Sequence, residues 1–315
     1  MAKKFEPKEI GNKKGLVSNR HVVSLSDGTS SVLYSNPRSV VKGERNEYIR
    51  EAKVRVLNRL PKQEGQFRKV MLDAIVDVER VLLLADQKRG ADGQLRVKNK
   101  RDAQKKIRNI VNEKILKVGK LIESNLQAAT KTYLIGVNRA SGLPSKLTRD
   151  QITDVSKTIS SSVLREKVND ANTKDRLSVL AKRMYVALED QVVRSRKERE
   201  QGLSVLKKKL MDPKGSQRSC IARGLSRINR TEQNKSMHKA TLSVISDLNI
   251  DHAYWRLSAS HKSYGGSEVC EVLASSSNAS NLLPASVSKT GLYRVDAFPE
   301  VPNANCMCSI EPLFI

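Results

Sequence analysis

Between residues 44 and 211 apolar side chains recur at steps of three and four, the signature of amphipathic α-helices. Phe67, Val70, Met71, Ala74, Ile75, Val78, Val81, Leu82 and Ala85 mark one helical face. Pro61 and Gly65 divide this helix from an earlier one over 47–60, and Gly90 to Gly93 ends it. A second long helix is predicted over 100–137, burying Ile107, Val111, Val118, Ile122, Ala129 and Tyr133, and stopping at Gly142 to Pro144. Thr148 and Gln151 have the spacing of a capping box, each side chain satisfying a free backbone N–H of the other. The helix they open buries Ile152, Val155, Ile159 and Val163. After a break at 169–173, Leu177, Leu180, Ala181, Met184, Leu188 and Val192 mark a fourth long helix. It continues as a charged rod to about 210, where Asp212 and Pro213 stop it.

Outside this region the period changes. The runs His21 to Leu25 and Ser30 to Tyr34 flank Asp27-Gly28, a pair suited to the left-handed backbone of a type I′ turn. A short hairpin is therefore expected within an otherwise flexible basic arm, and it needs a partner surface to be stable. After Pro213 to Gly215 a helix over 219–248 carries Ile221, Leu225 and Ile228, then Ala240, Val244 and Leu248, with a break near 229–231. Strand-like runs follow at 252–257 and 292–295, separated by a Ser/Asn-rich loop at 275–288. The expected fold class is α+β, mostly α. The arm spans 1–45, a basic helical domain 46–215 and a small α+β domain 216–315.

Charge sharpens this division. The chain carries 58 Lys/Arg against 33 Asp/Glu, a net +25. The stretch 250–315 holds four basic and six acidic residues, so the positive charge lies upstream. Residues 96–139 hold twelve Lys/Arg against three acids, and residues 194–235 thirteen against four. A solvated helix normally mixes both signs, whereas a bias of this size suits phosphate or an acidic protein. The candidate nucleic-acid contacts are Lys98, Lys100, Arg101, Lys105, Lys106 and Arg108 in the first block, and Arg194, Arg196, Lys197, Lys207, Lys208 and Lys209 in the second. No helix-turn-helix, zinc-finger or RNP pattern is present, so double-stranded DNA would be bound without regard to sequence. Aromatic residues are only 4%, which argues against base stacking as the main contact. No apolar run approaches a membrane span, and the N-terminus has no secretory signal pattern.

The residues left for chemistry lie towards the C-terminus. His261, Cys270, Cys306 and Cys308 could supply a tetrahedral zinc site, or the cysteines could be small buried residues of a reduced protein. No nucleophile–base–oxyanion pattern, phosphate-binding loop or metalloprotease motif accompanies them, so no enzyme is expected and no cofactor beyond that optional zinc. Arg230, Thr231 and Glu232 read as a helix start, with Thr231 as cap and Glu232 against the positive helix end. Trp255 reads as core, and His238 and His252 as packing or surface residues.

Taken in order, Arg230-Thr-Glu232, the Trp255 strand, Cys270, Gly291, two prolines and Cys306-Met-Cys308 resemble the phage head morphogenesis family, the Mu F-like minor head proteins. The resemblance covers about the last third of the chain. It departs from the family pattern at Leu273 and Asn303, where a second Cys and a His would complete the metal-like set. The resemblance implies a structural minor capsid protein of the virion, present in multiple copies in the head interior or at the portal vertex, and in the host cytoplasm during assembly. It implies contact with the portal protein and capsid proteins, and a role in head assembly or DNA delivery. Seven residues follow Cys308, so the toxin-like or transferase domain of some members is not expected. Two other readings stay open: a sequence-independent nucleic-acid-binding or scaffolding protein, and a zinc or thiol enzyme.

Overall fold

Eight α-helices and seven short strands occur among the described residues, so the class is α+β and mostly α. The computed structural model describes residues 20–24, 30–34, 45–141, 147–168, 170–211, 220–247, 250–257, 268–279, 283, 287–299 and 308–313. The sequence suggests a serial division at 45 and 215, but contacts group the chain in a nested order. One unit takes 61–125 and 164–229, and the other takes 1–60, 126–163 and 230–315.

The first unit is helical. Helix α1 (Asn46–Leu57) precedes it, and α2 (Leu60–Leu84) opens it. Pro61 occupies the first turn of α2, where its missing N–H costs nothing. Gly65 lies inside α2 rather than dividing two helices. Between α2 and α3 (Lys100–Ser141) the chain forms a hairpin that the helical period conceals, β3 (Gln87–Arg89) paired with β4 (Leu95–Val97). Gly93 takes φ +74° in its turn, and Arg96 closes it on Asp92 at 2.6 Å.

Helix α5 (Thr173–Val193) starts on an Asn172–Asp175 capping box. The expected rod does not continue. Ser195 and Glu198 form a second capping box, which starts a separate helix, α6 (Arg196–Met211). Met71, Ile75, Ile107, Val111, Ile122, Met184 and Leu188 fill the core with the start of α7 (Ile221–Asp247). Each such fully buried side chain stabilises the unit by about 1.5–3 kcal/mol.

The second unit holds α1, the later part of α3, α4 (Arg149–Arg165), the rest of α7 and a three-stranded sheet in the order β6-β5-β7. The strands are β5 (His252–Arg256), β6 (Leu292–Arg294) and β7 (Ser309–Pro312), all antiparallel. Strand β7 is an edge, which is where a proline is tolerated. Helix α8 (Glu268–Ser275) lies between β5 and β6 and ends where the expected Ser/Asn loop begins. Thr148 and Gln151 cap α4 as the spacing predicts. Ile152, Ile159 and Val163 are buried, but Val155 is only half-buried. Ser156 and Ser160 take its place, because Ser160 meets Thr130 of α3 at 3.3 Å.

The N-terminal strands β1 (Arg20–Ser24) and β2 (Ser30–Tyr34) pair antiparallel. Their register matches Ser24 with Ser30, leaving five residues between the strands where a type I′ turn would leave two. Asp27 and Gly28 lie outside the described residues. Strand β2 lies against α1, the partner surface such a hairpin needs.

Helix α1 packs closely on α3. A Cβ built on Gly136 would lie 2.5 Å from Ala52 Cβ and 2.8 Å from the Tyr48 carbonyl oxygen. Gly136→Ala is therefore expected to destabilise by about 1–3 kcal/mol in urea unfolding. Gly65→Ala, with nothing within 4 Å, is expected to stabilise by about 0.5–1 kcal/mol in the same assay.

Candidate functional site

The greater part of the two basic blocks, far apart in sequence, folds into one unit, while Lys131, Arg139, Arg230 and Lys235 fall in the other. All twelve candidate phosphate contacts fall within 61–125 and 164–229, a unit with 33 Lys/Arg against 17 Asp/Glu, net +16. Eleven are exposed, and Lys207 is half-buried. Three of their side chains tie the blocks to other parts of the same unit. Buried Arg199 donates to the Leu82 carbonyl at 3.3 Å and to Gln87 at 3.0 Å. Lys207 pairs with Glu79 at 2.8 Å. Arg108 donates to the Tyr185 hydroxyl at 3.0 Å and lies 4.5 Å over its ring. The end of α2, the β3–β4 hairpin and the starts of α3 and α6 thus share one end of the unit.

Acidic neighbours occupy some of these cations: Lys106 pairs with Asp102 at 2.8 Å, Arg194 with Asp190 at 2.6 Å and Arg196 with Glu200 at 3.5 Å. Lys98, Lys100, Arg101, Lys105, Lys197, Lys208 and Lys209 have no ion pair among the described residues. Exposed cations of this kind suit phosphates and present no fixed array to base edges.

The other candidate residues gather in the sheet unit. Trp255 is fully buried on β5, edge-on to His238 at 5.3 Å and stacked on Phe298 at 6.0 Å. Its backbone N–H donates to the Gly291 carbonyl at 2.6 Å. Gly291 itself is at φ +70°, with the Trp255 and Ala274 carbonyl oxygens each 2.8 Å from where a Cβ would stand. Cys270 and Cys308 are fully buried in one cluster with Trp255 and Tyr293. His261 and Cys306 lie outside the described residues. Among the described residues no group of three or more His, Cys, Asp or Glu stands ready for a metal. The described chain therefore offers the proposed zinc set two thiols. The imidazole that reaches this cluster, His238, turns its Nε2 to the Cys308 carbonyl oxygen at 2.8 Å and not to sulfur. Burial pushes the His238 imidazole down to about 4, so it is neutral and donates its Nε2–H to that carbonyl.

The expected helix start at Arg230 to Glu232 is instead the middle of α7. No Pro or Gly interrupts 225–247, so the helix runs on and Thr231 has no terminus to cap. From Thr231 to His238 every residue is buried. Glu232 is fully buried, with the Lys235 ammonium 3.9 Å from its carboxylate, and Asn229 donates to Gln63 at 3.0 Å. Within the run both amide atoms of buried Asn234 have no hydrogen-bond partner among the described residues, which costs stability. A further ion pair was hidden by distance in sequence: Arg50 of α1 grips buried Glu311 of β7 with two bonds of 2.8 Å.

No protein-family model, curated protein or solved structure matches this chain. No helix among the described residues is long and apolar enough to cross a membrane.

Proposed function

We propose that this chain is a non-catalytic minor head protein of a tailed phage. The basic helical unit lies along packaged double-stranded DNA, and the sheet unit docks on the portal or inner capsid. Several copies enter each virion, and they act in head assembly or DNA delivery. The observation that carries this reading is that the candidate phosphate contacts share one +16 unit, while the +9 of the other unit lies in 1–60 and 126–163 and its residues 230–315, with seven Lys/Arg against eight Asp/Glu, form the helix and sheet around Trp255. The order of motifs in that near-neutral part supports the minor head assignment. Its buried Cys270, Cys308 and His238 pack as core and hold a carbonyl, which supports a structural role for them.

Co-expression with the portal protein of the same phage tests the reading. After nuclease treatment, retention through a high-salt wash supports a protein-docked head component. Release by nuclease alone would favour a general nucleic-acid-binding protein with no portal contact.

A further inference from the structure

Helix α5 carries an apolar stripe that its own unit does not cover. Val179, Val186 and Val193 are 49%, 56% and 42% exposed and fall at steps of seven, along one edge of the helix. Valine is a poor helix former, so three exposed valines in one helix cost stability without any gain in the isolated fold. The stripe spans fourteen residues, about 21 Å of helix axis.

The charges beside it are arranged symmetrically about Val186. Exposed Lys182 stands four residues before it and exposed Asp190 four residues after. Val179 and Val193 stand seven residues before and after, and Arg183 and Glu189 three before and after. An antiparallel copy of the same helix, with its two-fold axis at Val186, would set Val179 on Val193 and Val186 on Val186. Each Lys182 would then face the partner copy's Asp190, which already accepts from Arg194 at 2.6 Å. A parallel pairing would place like charges together. Self-complementarity under a two-fold is what an isologous interface requires.

We infer that α5 is a self-association surface on which a second copy of this chain docks antiparallel through Val179, Val186 and Val193. One helix pair buries less than the roughly 1,200–2,000 Å² of a standard interface, so association is expected to be weak, at micromolar concentration or above. The inference does not rest on the DNA-binding reading, since none of these valines contributes charge, although Asp190 also pairs with the candidate phosphate contact Arg194.

Sedimentation velocity on the full chain across a concentration series, in high salt and after nuclease, tests it. The wild type is expected to dimerise and Val186→Glu to remain monomeric at every concentration. Lys182→Asp alone and Asp190→Lys alone should each weaken the dimer, and the two together should restore it. Val186→Cys, placed on the axis, should form a reducible covalent dimer that the wild type does not. A wild type that stays monomeric throughout, or a dimer unchanged by Val186→Glu, would overturn the inference. So would a double charge swap that fails to recover association while circular dichroism shows native helix.

Discussion

Raising monovalent salt from about 50 to 200 mM is expected to weaken binding of this chain to duplex DNA by roughly 10³- to 10⁵-fold, if about six to ten phosphates are contacted. The affinity should be the same for unrelated sequences, because cations on helix surfaces reach the backbone and no motif presents side chains to base edges. A four-site variant, Lys100→Glu, Arg101→Glu, Lys105→Glu and Lys197→Glu, isolates the cause. All four residues are exposed; Lys100, Arg101 and Lys197 lie in the first turns of α3 and α6, and Lys105 in the second turn of α3. Negative charge suits a helix N-terminus, so the fold is spared. Each lost phosphate contact should reduce the slope of log affinity against log salt by about 0.9. Fluorescence anisotropy with two unrelated duplexes measures both. An unchanged slope, or a strong preference for one duplex, would remove the phosphate-contact mechanism.

The second large effect concerns acid. His238 is held neutral by burial, down to about 4, against about 6.5 in an unfolded chain. Its folded value is depressed, so the unfolded chain binds the extra proton first as pH falls. The stabilisation is fully present above about 6.5 and is lost progressively as pH falls towards 4. Between about pH 6.5 and 5 this single group should remove about 2 kcal/mol. Urea unfolding at the two pH values should show that loss. His238→Gln, whose amide N–H reaches about as far as the imidazole Nε2–H and does not titrate, should flatten the profile in that window. Equal pH dependence in wild type and variant would show that another group is responsible.

How much of this was legible beforehand follows from the physics of each element. The buried faces of α2, α3 and α5 were readable because a 3.6-residue period repeats over many turns. The Thr148–Gln151 box was readable because both partners are local. The α5–α6 break was missed, although Ser195 and Glu198 form the same kind of local box, because the charged stretch around them carries no apolar period. The burial of Ser156 and Ser160 was not readable, since it depends on Thr130 arriving from another helix. Arg230 to Glu232 reads as a helix start, and only packing from outside α7 turns Thr231 to His238 into interior. Strands β3, β4 and β7 have three or four residues each, too few to establish alternation. Arg50 and Glu311 lie 261 positions apart, so nothing local links them. Of the candidate site residues, the twelve cations were found by charge counting alone. Their convergence on one unit needed the contacts of Arg199, Lys207 and Arg108.

The central claim is a division of labour, with the helical unit on DNA and the sheet unit on protein. Its most direct test puts wild type, the four-site charge variant and Trp255→Ala through the same two assays: duplex binding, and portal retention at high salt after nuclease. Trp255 is the largest fully buried side chain of the sheet unit, so its loss should cost about 3–5 kcal/mol there. The account predicts that the charge variant loses DNA but keeps the portal, and that Trp255→Ala loses the portal while keeping DNA. A charge variant released from the portal together with DNA would contradict it, because one basic surface would then account for both contacts.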